Sequence, residues 1–205
     1  MNKEEINAYL DTLFPNPKCE LIYTKDYELL LSVMLSAQTT DKRVNMVTKD
    51  LYKEYNTLEK LNTLSVSDIE NAIKSIGFHK TKAINFKYII EHLLPLGYVP
   101  NDRKFLESLK GVGRKTASVV LAELYNEPNF AVDTHVHRVS RRLGITKRDD
   151  DVLKTEQKVK KYFNKEEWNK VNSQFVLFGR YYCKSIKPEC STCKLKHICK
   201  EKILK

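Results

Sequence analysis

Apolar side chains recur along this chain with the period of a helix and almost nowhere with the period of a strand. Tyr27, Leu30, Leu31 and Met34 fall at i, i+3, i+4 and i+7, and Ile69, Ala72, Ile73 and Ile76 repeat the pattern. At 3.6 residues per turn each set lies on one face, which then has to be buried. Ala83, Phe86, Ile90, Leu93 and Leu94 mark a longer helix, stopped by Pro95 and Gly97. Ala117, Val120, Leu121 and Leu124 mark another, and Trp168, Val171, Phe175 and Phe178 form a late stripe. Ser65 with Asp68 reads as a capping box, and Asp149-Asp150-Asp151 as a loop and helix start, since negative charge suits a helix N-terminus. Phe130-Ala131-Val132 is the only short apolar run with a strand flavour. The pattern predicts an all-α fold with short connections. Residues 21–127 read as a continuous helical series, with a crossing point near Asn126-Glu127-Pro128-Asn129.

A chain of 205 residues is long enough to bury a core without disulfides. No apolar run approaches the roughly 18 residues that span a bilayer, and Met1-Asn2-Lys3-Glu4-Glu5 lacks the apolar segment of a signal peptide. The formal net charge is +10, which points to an anionic partner without naming it. Of the cations, 28 are Lys and 8 are Arg. That balance leans toward contacts with a phosphate backbone, because Arg is the better reader of base edges. Residues 180–205 hold eight cations and two anions, so +6 of the +10 lies at the C-terminal end.

Two local patterns carry chemistry. The first is Leu109-Lys110-Gly111-Val112-Gly113-Arg114-Lys115-Thr116-Ala117. Two glycines one residue apart, between helical segments, make a tight hairpin whose backbone N–H groups converge near a helix N-terminus. Such a turn binds phosphate without side-chain charge, and it also serves as an ordinary corner between helices. The second is the run Cys183-x6-Cys190-x2-Cys193-x5-Cys199. Four thiolates in one short loop hold either a zinc ion or an iron–sulfur cluster. Zinc sites usually show two short Cys pairs, and here there is one. Cys19 stands outside the set as a buried or free thiol.

Taken together, several strings resemble the bacterial endonuclease III family of helix-hairpin-helix DNA glycosylases. They are Leu35-Ser36-Ala37-Gln38-Thr39-Thr40-Asp41, Ile76-Gly77-Phe78, Lys82-Ala83, the hairpin, Val132-Asp133-Thr134-His135, Gly179-Arg180-Tyr181 and the four cysteines. The resemblance runs from about residue 20 to 199. It implies a six-helix domain over 21–127 ending in the helix-hairpin-helix motif. It also implies a second helical domain from 1–20 and 128–205, with a [4Fe-4S] cluster in the loop 183–199.

The resemblance also implies roles. Lys115 matches a catalytic amine that attacks the sugar and forms a Schiff base, with a helix N-terminus and partial burial favouring its neutral form. Asp133 matches a catalytic carboxylate, and as a residue it equally reads as a helix N-cap. Cys183, Cys190, Cys193 and Cys199 become the cluster ligands. Gln38 and Phe78 match the wedge that fills the gap when a base is flipped out, with Phe where a Leu is familiar. Leu109, Gly111, Gly113 and Arg114 of the hairpin, His135, and Lys187, Lys194 and Lys196 of the Cys loop fall at DNA-binding positions. Thr40 and Asp41 read as pocket-mouth or capping residues, while His79 and His137 have no distinguishing context.

The implied activity is removal of oxidised pyrimidines from duplex DNA, followed by cleavage 3′ to the abasic site through β-elimination. The implied partner is double-stranded DNA carrying damaged pyrimidines or abasic sites. The protein is expected to act as a monomer, in the cytoplasm at the nucleoid, without a membrane. A monofunctional mismatch or adenine glycosylase is the alternative enzyme. Lys115 argues against it, and little chain follows Cys199 for a further domain. A non-catalytic helix-hairpin-helix DNA-binding protein is the alternative from another class, distinguished only by Lys115 and Asp133.

Overall fold

The structure, a computed structural model, describes residues 2–201. Lys202 and Lys205, which enter the C-terminal charge count, lie outside the described residues. No strand occurs among the described residues, as the helical periodicity predicts. The chain divides into two compact units, one of residues 19–125 and one joining 1–18 to 126–205.

Unit 19–125 is built around α2 (Asp26–Leu35), in which every residue from Tyr27 to Leu35 is buried. A helix apolar all round has to be surrounded, and α2 is packed by α3 (Asp41–Glu54), α6 (His79–Leu93) and α8 (Arg114–Tyr125). The short helices α4 (Leu58–Thr63) and α5 (Val66–Ala72) pack on α6, and α7 (Arg103–Ser108) packs on α8. The caps are local. Ser65 and Asp68 form the capping box of α5, with Asp68 N donating to Ser65 Oγ at 3.1 Å and Ser65 N donating to Asp68 Oδ2 at 2.9 Å. Thr40 caps α3. The 69–76 stripe overruns its helix. α5 ends at Ala72, and Ile73 and Ile76 are buried from a following turn.

The other unit holds α1 (Lys3–Leu13), α9 (Thr134–Arg142), α10 (Val152–Tyr162), a 3-10 turn (Lys165–Glu167) and α11 (Trp168–Tyr181). α11 packs against both α9 and α1, so the N-terminal segment closes on the C-terminal one. Phe130, Phe163 and Phe175 form an aromatic centre, with ring centroids 5.6 to 6.1 Å apart. Phe130-Ala131-Val132 is buried but not a strand. Side chains of α11 pair with the backbone around it: Asn129 N donates to Asn169 Oδ1 at 2.8 Å, and Asn172 Nδ2 donates to Ala131 O at 3.0 Å. Asp151 caps α10 by accepting from Lys154 N at 2.7 Å.

Candidate functional site

The hairpin lies between α7 and α8. Val112 N donates to Leu109 O at 3.0 Å and closes the turn, while the side chains of Leu109 and Val112 are buried. Leu109 therefore anchors the hairpin in the core, and only its backbone is placed to meet a ligand. The two glycines differ. Gly111 has φ +81°, and a Cβ there would lie 2.6 Å from Asn85 Nδ2. The fold itself demands that glycine. A Cβ on Gly113 would meet nothing within 4 Å. Packing within the chain therefore does not require glycine at Gly113. Arg114 and Lys115 are exposed on the first turn of α8. The partial burial expected for Lys115 is absent, because the second residue of the helix projects beyond the packed face.

Gln38 and Phe78 share an unusual backbone. Both are non-glycine residues in the left-handed region, at φ +55° and +59°, and both are exposed, Phe78 by 67%. A bulky residue in that region costs about 1–2 kcal/mol, and an exposed phenyl gains little from packing. Such strain persists where surrounding structure imposes it. Gln38 sits in the α2–α3 connection, and Phe78 is the residue from which α6 starts.

In the other unit, Asp133 is the N-cap of α9. Its carboxylate accepts from His135 N and Val136 N, both at 2.8 Å. His135 is half-buried where α9 meets Gly179 of α11, and a Cβ at Gly179 would lie 2.8 Å from the His135 Cβ. Glycine at this position sets how closely the two helices approach.

One turn further along α9, two arginines hold the Cys loop. Arg138 Nε donates to Cys183 O at 3.0 Å and its Nη2 to Gly179 O at 2.7 Å. The buried Arg142 donates from Nη1 to Lys184 O at 2.7 Å and to Cys183 Sγ at 3.4 Å. Leu195 and Ile198 pin the loop into the core. Cys183, Cys190, Cys193 and Cys199 are all half-buried and line one cavity of about 300 Å³. Among the described residues, no three His, Cys, Asp or Glu side chains are grouped as a single metal ion requires. Four cysteine side chains lining one cavity are a donor set of the kind that holds a metal cofactor. Burial pushes the thiols of Cys183 and Cys193 up, with the Arg142 hydrogen bond opposing it at Cys183. Metal coordination is what makes such sulfurs anionic. Lys187, Lys194 and Lys196 are exposed on this loop, and Lys184 is paired with Glu189 at 3.0 Å.

Residues 31–165 match the family model of the HhH-GPD superfamily of base excision DNA repair proteins. The chain belongs to this superfamily. Endonuclease III of Bacillus subtilis (strain 168) is 40% identical over 206 residues, covering 98% of this chain and 94% of that protein. Endonuclease III of Rickettsia felis is 43% identical over 187 residues, covering 90% of this chain and 87% of its own. A solved endonuclease III trapped as a covalent intermediate with DNA superposes with a TM-score of 0.91 at 42% identity, covering 98% of this chain and 97% of that one. As an HhH-GPD member the protein is a base-excision DNA-repair enzyme, a DNA glycosylase. The structure adds one residue to its candidate set. Lys82 stood in the sequence only as part of a matching string, and its burial beside the Gln38 loop is a tertiary fact without a local signal.

Proposed function

We propose that this glycosylase removes oxidised pyrimidines from duplex DNA and then cuts the strand 3′ to the abasic site. The observation that carries the reading is Lys115, an amine exposed on the first turn of the helix that leaves the Gly111–Gly113 hairpin. In the reaction, neutral Lys115 Nζ attacks the sugar C1′. The C1′–base bond breaks and its electron pair leaves with the base, which is protonated. The amine gives up one proton, and its electron pair forms the C1′=N bond as the C1′–O4′ bond breaks; O4′ takes a proton to become a hydroxyl, leaving an iminium. Loss of a C2′ proton then expels the 3′ phosphate by β-elimination, and water returns the amine. Asp133 is assigned to stabilise positive charge developing on the sugar and to assist proton transfer. Its N-cap bonds to His135 N and Val136 N orient the carboxylate for that task.

Gln38 and Phe78 are assigned to the space vacated by the flipped nucleotide. Gly111, Gly113 and Arg114 hold a backbone phosphate, and Lys187, Lys194 and Lys196 add contacts that salt weakens. His135 completes the DNA-facing set. Cys183, Cys190, Cys193 and Cys199 would hold a [4Fe-4S] cluster, which supplies a rigid, negatively charged core for the loop and no part of the sugar chemistry. The protein is expected to act as a monomer on DNA with a damaged pyrimidine or an abasic site.

Borohydride reduction in the presence of duplex DNA containing thymine glycol tests the assignment. The wild type is expected to become covalently trapped and Lys115→Gln is not. Wild-type protein that excises the base without trapping overturns the lyase. Efficient trapping by Lys115→Gln moves the nucleophile to another amine.

A further inference from the structure

Gln38 and Phe78, two of the four exposed non-glycine residues with left-handed backbone among the described residues, lie on different segments, yet one buried residue ties both segments together. Lys82 is in the first turn of α6 and is only 6% exposed. Its backbone N donates to Phe78 O at 3.0 Å, the hydrogen bond that starts the helix at the wedge residue. Its ammonium donates to Leu35 O at 2.9 Å, Ala37 O at 2.7 Å and Thr39 Oγ1 at 3.3 Å. Leu35 is the last residue of α2, where the helix dipole favours a cation. Ala37 and Thr39 flank Gln38 on either side.

We infer that Lys82 is a positioning residue for base flipping, holding Gln38 and Phe78 at a set separation by clamping the α2–α3 connection to the start of α6. The inference rests on the wedge roles proposed above. Three physical points support it. A lysine is rarely this buried unless its head is satisfied, and here three oxygens take up its three protons. Neither left-handed backbone is relieved by glycine, so the conformation at Gln38 and Phe78 has to be imposed from outside. The clamp supplies such a constraint, since Ala37 O and Thr39 Oγ1, on the residues either side of Gln38, both accept from it. Burial pushes the Lys82 pKa down. The ammonium does not touch the reacting sugar under this assignment; it acts through the wedge.

The test is a double-mutant cycle in the full chain with its cluster. Single-turnover excision of thymine glycol is measured for the wild type, Lys82→Met, Gln38→Ala and Lys82→Met/Gln38→Ala. 2-Aminopurine fluorescence opposite the lesion reports unpairing. Met keeps the length and apolar stem of Lys and removes only the charged head. If Lys82 works through Gln38, Lys82→Met slows excision by about 100-fold at saturating enzyme, as misplacement of a positioning group does. The double variant is then no slower than the slower single variant, and the fluorescence rise is lost in each. Cleavage of a preformed abasic site, which has no base to unpair, falls much less.

Rates that multiply in the double variant, or a Lys82→Met protein as fast as wild type while Gln38→Ala is slow, overturn the inference and leave the wedge reading intact. Gln38→Ala and Phe78→Ala proteins that both flip and excise normally overturn the wedge reading itself. Thr39→Val, which removes one acceptor and keeps the ammonium, serves if Lys82→Met does not fold. It is expected to slow excision more than abasic-site cleavage, and equal effects on the two overturn the inference.

Discussion

Arg142 donates from Nη1 to the sulfur of Cys183 at 3.4 Å while also holding the Lys184 carbonyl at 2.7 Å. The same helix begins at Asp133, so the element that starts with the candidate carboxylate ends in a clamp on the first cysteine of the loop. Removing the clamp takes the Arg142 donor from the part-buried Lys184 carbonyl, while Cys183 O keeps Arg138. Arg142→Met is expected to destabilise the protein by about 2–3 kcal/mol. Chemical denaturation checks this, and the visible absorbance of the proposed cluster should decay faster in air than in the wild type.

Gly179 has no room for a side chain, because a Cβ would lie 2.8 Å from the His135 Cβ and 3.2 Å from its backbone Cα. Backbone on the opposing side does not move aside at low cost. Gly179→Ala is expected to lose about 1–3 kcal/mol of stability by overpacking. It should also slow excision, since His135 sits two residues beyond Asp133. Thermal unfolding and single-turnover kinetics measure the two effects.

The two hairpin glycines should respond in opposite ways. Gly111→Ala forces a left-handed alanine against Asn85 and is expected to cost about 1–2 kcal/mol in stability. Gly113→Ala has open space and should leave the melting temperature unchanged. It should weaken duplex binding about tenfold, the loss of one charge-assisted contact of roughly 1.5 kcal/mol. Calorimetry and fluorescence anisotropy separate them.

Phe78 trades stability for position. Phe78→Gly removes the left-handed penalty of about 1–2 kcal/mol and adds a smaller entropy cost of about 0.5–1 kcal/mol. With the phenyl 67% exposed, little packing is lost. The variant should unfold at the same or a slightly higher denaturant concentration than wild type while excising a paired damaged base more slowly.

Lys187, Lys194 and Lys196 are exposed on the Cys loop. Replacing all three with Gln should reduce the slope of log affinity against log salt by about 3, close to one unit per lost phosphate contact. Binding isotherms across a salt series measure it. An unchanged slope would remove the loop from the DNA interface.

Much of this molecule was legible along the chain because the relevant physics is local. Helical period, the Ser65–Asp68 box, the Asp133 and Asp151 caps and the stop at Gly97 all depend on residues a few positions apart. The hairpin string and the spacing of four cysteines are local as well, so candidate chemistry attached to them before any packing was known. The overrun of the 69–76 stripe past Ala72 marks the limit of that reasoning: periodicity reports which side chains are buried, not whether a helix or a turn delivers them.

Tertiary structure alone decided the rest. Phe130-Ala131-Val132 has a strand's composition, yet Asn172 of α11 takes the Ala131 carbonyl and Asn169 takes the N–H of Asn129 just before the run. Leu109 belongs to the hairpin string, yet its side chain belongs to the core. Gly179 and Arg142 acquire their meaning only where α11 and the Cys loop come against α9. Lys82 is one lysine among 28 until folding brings the end of α2 over its ammonium. By itself the sequence determined the helices, their caps and the inventory of reactive groups, since these are set by neighbours along the chain. Which lysine is buried, which glycine is crowded and which exposed residue is held under strain depend on partners dozens of residues away, and only the packed fold brings those into contact.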